Sequence, residues 1–131
     1  MSETILVIDD HSLVLTTLVS TLNQAGFYVL AAASGEEALK IASTTGRCID
    51  LVICDVILPG MSGTEITRRI AELHPRVRSL FITGLPGHPR VISEFSDRRK
   101  ALLPKPFLPH VLVHKAREIL GVRPSLMTAA I

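Results

Sequence analysis

Short apolar runs and longer helical periods alternate along the chain. The runs are Ile5 to Ile8, Phe27 to Leu30, Ile49 to Cys54, Leu80 to Thr83 and a weaker one at Ala101 to Leu103. Their length and β-branched content predict strands, and runs so little interrupted by polar residues predict strands covered on both faces, as in a parallel sheet. Between them, Val14, Leu18 and Leu22 recur at a spacing of four, followed by Ala38, Ile41 and Ala42, then Ile66, Ile70 and Leu73, and finally Leu112, Ala116, Ile119 and Leu120. Each set marks one apolar face of a helix.

The helix ends follow from the same pattern. Ser34 to Glu37 and Ser62 to Glu65 match the S-x-x-E capping box, in which hydroxyl and carboxylate each satisfy an orphan N–H. Gly26, Gly46 and Gly121 stand where helices should stop. The stretch from Leu85 to Lys100 is less regular: Pro86, Gly87 and Pro89 cluster at its start, and only Val91, Ile92 and Phe95 give an apolar face. A short helix, late to begin, is expected there. After Gly121, Pro124 and the residues MTAAI predict a fraying tail. The expected organisation is one domain over residues 1–131, with a core at 4–120 and a tail at 121–131, built of five βα units joined by right-handed crossovers.

Composition narrows the picture. With 47% hydrophobic but only 4% aromatic residues, the core must be built from Leu, Ile, Val and Ala. A net charge of +2, from 14 basic and 12 acidic side chains, is too small for a general attraction to nucleic acid or to a membrane surface, and neither is an expected partner. No run reaches the length of a membrane span, and the opening MSETILVIDD has acids where a signal peptide has bases, so a cytoplasmic location is expected. Cys48 and Cys54 lack metal-ligand spacing and read as reduced thiols.

In a doubly wound sheet, ligands bind beyond the carboxyl ends of the strands. Polar residues collect at those ends. Asp9 and Asp10 follow the first run, Asp55 the third, Thr83 ends the fourth, and Lys105 stands two residues past the fifth. Three carboxylates drawn together need positive charge among them. Lys105 supplies one unit, and a hard divalent cation, Mg²⁺ first among them, would supply the rest. Singly, each residue has a plainer reading: Asp10 as the cap of the next helix, Asp55 as an Asx turn before Pro59, Lys105 as a solvated lysine. Only their joint placement argues for a site. Of the five histidines, His110 and His114 alone share helical i,i+4 spacing, and a solvated face explains them. The run Arg98, Arg99 and Lys100 reads as a soluble helix end. A haloacid-type phosphatase needs a second acid two residues after its nucleophile, where this chain has His11 and Ser12.

The motifs ILVIDD (5–10), LVICDVILPGMSG (51–63), FITG (81–84) and LPKPF (103–107) occur in that order, with spacings of 45, 28 and 22 residues from Asp10 to Asp55, Thr83 and Lys105. Together they resemble the receiver domain of two-component response regulators over residues 4–120. The resemblance implies a flavodoxin-like, doubly wound α/β fold, a five-stranded parallel sheet of order 2-1-3-4-5 with five helices. It implies that Asp55 is the phosphoacceptor and that Asp9, Asp10, Asp55 and the backbone carbonyl of Ile57 hold Mg²⁺, for which Mn²⁺ could substitute. Lys105 would pair with carboxylate or phosphoryl oxygens, Thr83 would bond the new phosphoryl group, and the Lys105–Pro106 peptide would be cis.

The implied partners are a sensor histidine kinase or histidine phosphotransfer protein and an unknown downstream effector protein, with a monomer or weak dimer as the assembly. The chain would not be an enzyme beyond self-catalysed phosphotransfer and autodephosphorylation. Output is expected through another protein, since no effector domain follows. Leu102 stands where many receivers carry an aromatic, three residues before the lysine, which implies a smaller conformational change. Ile57 and Leu85 occupy the positions that govern phosphoryl lifetime in the family, and neither can position water by hydrogen bonding. The alternative from another class is a phosphorylation-independent protein-interaction module on the same fold.

Overall fold

The computed structural model describes residues 2–96 and 100–121. In chain order the elements are β1 (Thr4–Ile8), α1 (Ser12–Gln24), β2 (Tyr28–Ala32), α2 (Gly35–Thr44), β3 (Leu51–Asp55), α3 (Gly63–Leu73), β4 (Arg78–Thr83), α4 (Pro89–Glu94), β5 (Ala101–Pro104) and α5 (Pro109–Leu120). The strands form one sheet in the order β2-β1-β3-β4-β5, every neighbouring pair parallel. This is the doubly wound, flavodoxin-like arrangement that the motifs imply. The expected tail beyond Gly121, and Arg98 and Arg99 of the basic run, lie outside the described residues.

Side-chain alternation along the strands divides the core into two layers. Leu6, Ile8, Val52, Cys54 and Phe81 meet Ala38 and Ala42 of α2, Ile66 and Ile70 of α3 and Val91 of α4. Ile5, Val7, Leu51, Ile53, Leu80 and Ile82 meet Leu18 and Leu22 of α1 and Leu112 and Ala116 of α5. Strands β1 and β3 are buried from end to end, which is why their sequences read as continuous apolar runs.

The serine hydroxyls of the two capping boxes accept from the backbone N–H groups of Glu37 and Glu65, as expected. In α3 the glutamate turns away from the cap. Its carboxylate accepts from Arg68 and Arg69, hydrogen bonds that hold its pKa down at about 2. Gly26, at φ 98°, and Gly121, at φ 72°, carry the left-handed turns that end α1 and α5. Gly46 does not stop α2, which leaves instead through an extended Thr45 at φ −69°, ψ 141°.

His74 closes α3 and ties three elements together. Its Nδ1 accepts from the Ile49 N–H at 3.3 Å, so the ring proton sits on Nε2, which donates to the Ala42 carbonyl at 2.8 Å. The neutral ring thereby joins the ends of α2 and α3 to the segment leading into β3. His74→Ala leaves a donor and an acceptor without partners and should lower the unfolding free energy by about 2 kcal/mol. Urea denaturation checks this, and an unchanged midpoint would show that the two backbone groups find water instead.

Candidate functional site

The register of the sheet brings the acids together. Ile8 of β1 pairs with Cys54 of β3, so the next residues, Asp9 just past β1 and Asp55 at the end of β3, stand side by side, about 5 Å apart. Asp55 continues the row of Leu51 and Ile53, and Lys105 the row of Ala101 and Leu103, so alternation aims both toward the α1 and α5 side. Lys105 leaves β5 just past the Thr83–Pro104 pair and reaches back across β4. Its Nζ donates to Asp9 Oδ2 and to Asp55 Oδ2, both at 2.8 Å. Asp9 is wholly buried and Asp55 nearly so.

The remaining oxygens are held by backbone. Asp55 Oδ1 accepts from the Ile57 N–H at 2.9 Å, and Asp9 Oδ1 accepts from the His11 N–H at 2.9 Å. Thr83, also buried, accepts from the Leu85 N–H through Oγ1 at 3.0 Å, while its carbonyl accepts from the Lys105 N–H at 2.7 Å. Asp10 lies at the rim, its side chain 30% exposed, outside the lysine's reach. Asp10, Asp55, Ile57, Thr83, Leu85 and Lys105 line one open cleft of about 390 Å³.

Burial alone would lower the Lys105 pKa, but hydrogen bonds and charge from Asp55 and Asp9 outweigh it and hold the ammonium above its ordinary value. A raised lysine pKa stabilises fully below the ordinary value and ceases to do so only as pH climbs past the raised one. At neutral pH Lys105 is therefore a fixed cation. Beneath the site, burial pushes the Cys54 thiol pKa far up, with the charges of Asp55 and Asp9 adding to the effect, so this sulfur is chemically inert.

The loop after β3 is fixed by a close approach. Gly60 takes φ 83°, and Gly63 opens α3 with its N–H donating to the Val56 carbonyl at 2.9 Å. A Cβ at Gly63 would collide with the backbone carbonyl of Asp55. The glycine lets the helix start lie directly on the acidic residue's main chain.

Donor atoms from Asp9, Asp10, His11 and Asp55 all lie within 4.8 Å of one another and could hold a metal ion. Three carboxylates face one ammonium, and hard oxygen donors in that number suit a hard divalent cation. Asp10 is not the cap of α1: His11 occupies that position, with no side-chain cap bond. His114 lies 3.9 Å from Glu118 on an exposed face, as its spacing suggests. The Lys105–Pro106 bond is cis, as the resemblance implies. The i,i+4 test for histidine ligands passes over His11, whose partners are its immediate neighbours. Gly63 reads as a turn residue in sequence, because its approach to Asp55 exists only in the folded chain.

The sequence profile of the family described as response regulator receiver domain matches residues 5–117. The chain is 33% identical over 119 residues to sensor kinase CckA of Brucella abortus, covering 91% of this chain and 13% of that protein. Among solved structures it resembles a CheY-like receiver domain protein from Methanospirillum hungatei at a TM-score of 0.80 and 26% identity, covering 92% of this chain and 95% of that one. It also resembles the receiver domain of the hybrid histidine kinase CckA at a TM-score of 0.74 and 31% identity, covering 89% and 98%. The chain thus spans a small part of the full-length kinase it matches, and no helix among the described residues is long and apolar enough to cross a membrane.

Asp10→Asn removes one of the crowded charges without touching the Lys105 pairs. The metal-free protein should gain about 1 kcal/mol from the relief of repulsion, or a rise in Tm of about 3 °C. Calorimetry in chelator reads this directly, and an unchanged or lower Tm would contradict an excess of negative charge at the cleft.

Proposed function

The chain belongs to the response regulator receiver domain family, and we propose that it works as the phosphoacceptor switch of a two-component phosphorelay, with Asp55 taking the phosphoryl group. The observation that carries this reading is the shared lysine: Asp55 and Asp9 each accept from Lys105 Nζ at 2.8 Å, while Asp10 stands beyond the lysine at an open cleft. Such a set is costly for a merely structural site and suits one that completes itself with a cation and a phosphoryl group.

Asp9, Asp10, Asp55 and the backbone carbonyl of Ile57 would hold Mg²⁺, with Mn²⁺ as a substitute. When bound, the ion neutralises charge on the transferring phosphoryl oxygens. The chain's own residues do the rest. An Asp55 carboxylate oxygen forms the new O–P bond as the N–P bond of a phosphohistidine breaks and the imidazole leaves. Acetyl phosphate serves equally, with acetate leaving. Lys105 would offset charge on the phosphoryl oxygens. The Thr83 hydroxyl, which now accepts from Leu85, keeps its own proton to donate to a phosphoryl oxygen.

That inward pull on Thr83 alters the surface formed by β4, α4 and β5, and with it partner binding. Phe81 and Phe95 already stack edge to face at 5.0 Å there, and Leu102 is partly buried against the same layer. With no outward ring at Leu102 to swing inward, the rearrangement is small. The phosphoryl source is a sensor histidine kinase or a histidine phosphotransfer protein, and the output a downstream effector protein, reached by a cytoplasmic, monomeric or weakly dimeric domain spanning residues 1–131.

Incubation with acetyl phosphate and Mg²⁺, followed by intact-mass measurement, should give one phosphoryl adduct per chain, absent in Asp55→Asn and in chelator. Because the side chains of Ile57 and Leu85 carry no hydrogen-bonding group, the adduct should persist for minutes or longer. No adduct would favour the phosphorylation-independent interaction module. An adduct lost within seconds would contradict the role given to Ile57 and Leu85.

A further inference from the structure

His11 stands at the N-cap of α1, yet its ring caps nothing. The backbone N–H of the same residue already satisfies Asp9 Oδ1 at 2.9 Å. The ring instead lies over the acids, with Nδ1 3.2 Å from Asp9 Oδ1 and 3.4 Å from Asp10 Oδ1. It does so while 68% exposed, so packing against the core does not dictate its orientation. The ring also shares the site's outlook, since His11 lines the same cleft as Asp10, Asp55 and Lys105.

These distances have a second meaning beside a hydrogen bond. Neighbouring ligand atoms on an octahedral cation with bonds of about 2.1 Å stand about 3 Å apart. The imidazole nitrogen stands close to that distance from an oxygen of each acid, 3.2 and 3.4 Å, and one ligand atom from each of Asp9, Asp10, His11 and Asp55 lies within 4.8 Å of the others. In the metal-free chain Nδ1 carries the proton it donates to Asp9 Oδ1, and a cation at the cluster would take the place of that proton, which moves to Nε2 or to solvent.

We infer that His11 is a nitrogen ligand of the cation held at the acidic cluster, and that it shifts the preference of this site from Mg²⁺ toward Mn²⁺ and other borderline divalent ions. The inference rests on the proposed metal-assisted phosphoacceptor reading and deepens it. Mg²⁺ gains little by exchanging a water for an imidazole, whereas affinity for nitrogen donors rises along the series from Mn²⁺ to the later transition metals. A site of carboxylates alone shows the hard-ion preference, and the added imidazole is what changes it.

The test uses the full chain loaded with Mn²⁺. Electron spin-echo spectra should show the ¹⁴N modulation of a directly bound imidazole. His11→Gln and His11→Ala should both abolish it by removing the imidazole, while either keeps the backbone N–H that holds Asp9. In both variants Mn²⁺ affinity should fall about three- to tenfold, while Mg²⁺ affinity, read by competition, changes less than twofold. Mn²⁺ that is released by Asp10→Asn yet shows no ¹⁴N modulation would overturn the inference. So would an equal loss of Mn²⁺ and Mg²⁺ affinity in the His11 variants. Both results leave phosphoryl acceptance at Asp55 standing. Failure to bind either ion overturns the inference and the metal-assisted reading together.

Discussion

One ammonium group, Lys105 Nζ, stands between two buried carboxylates at 2.8 Å from each, and the carboxyl edge of the sheet is organised around it. Asp9 and Asp55 cannot lie side by side at the ends of adjacent strands, out of water, without a counter-charge. The lysine that supplies it stands one residue past β5, the short edge strand. The pair of contacts therefore joins the edge of the sheet to its centre. Removing the lysine would strand two like charges in a buried setting, a loss of about 3–5 kcal/mol for an uncompensated partner.

The same arrangement leaves the site short of positive charge. Lys105 serves Asp9 and Asp55, and Asp10 remains at the rim of an open cleft. A fold selected for stability alone would neutralise one of these acids, so the surplus has a use. The supporting residues serve it too. Gly63 allows α3 to begin against the Asp55 carbonyl, the Ile57 N–H fixes one carboxylate oxygen, and the Leu85 N–H holds Thr83 ready at the end of β4. Each sets the position of a group that the proposed phosphoryl transfer would use, and none adds chemistry of its own.

Much of this is legible in the amino-acid sequence. Continuous apolar runs marked β1 and β3 because both faces of those strands are covered, and the capping serines placed the starts of α2 and α3. The strand limits shifted by a residue or two. Phe27 packs into the α1 and α5 layer ahead of the strand, and β2 starts at Tyr28, whose exposed ring lies under the Arg47 guanidinium. Backbone pairing carries β4 back to Arg78, beyond the apolar pattern, and includes Asp55 in β3. The strand order came from the resemblance, because periodicity shows which segments are strands and not which are neighbours. His74, His11 and Gly63 escaped for a shared reason. Their roles depend on groups brought close by folding, such as the Ile49 N–H or the Asp55 carbonyl, or, for His11, on a ring orientation that spacing does not encode.

The claim on which the rest stands is that the acids at the ends of β1 and β3 form an unfinished charge balance that a divalent cation completes. Calorimetric unfolding over a series of Mg²⁺ concentrations tests it most directly. The Tm should climb with the logarithm of Mg²⁺ concentration, with a slope corresponding to one ion per chain, and stay flat in Asp55→Asn. A Tm indifferent to Mg²⁺ in the unmodified chain, or an equal rise in the variant, would contradict it.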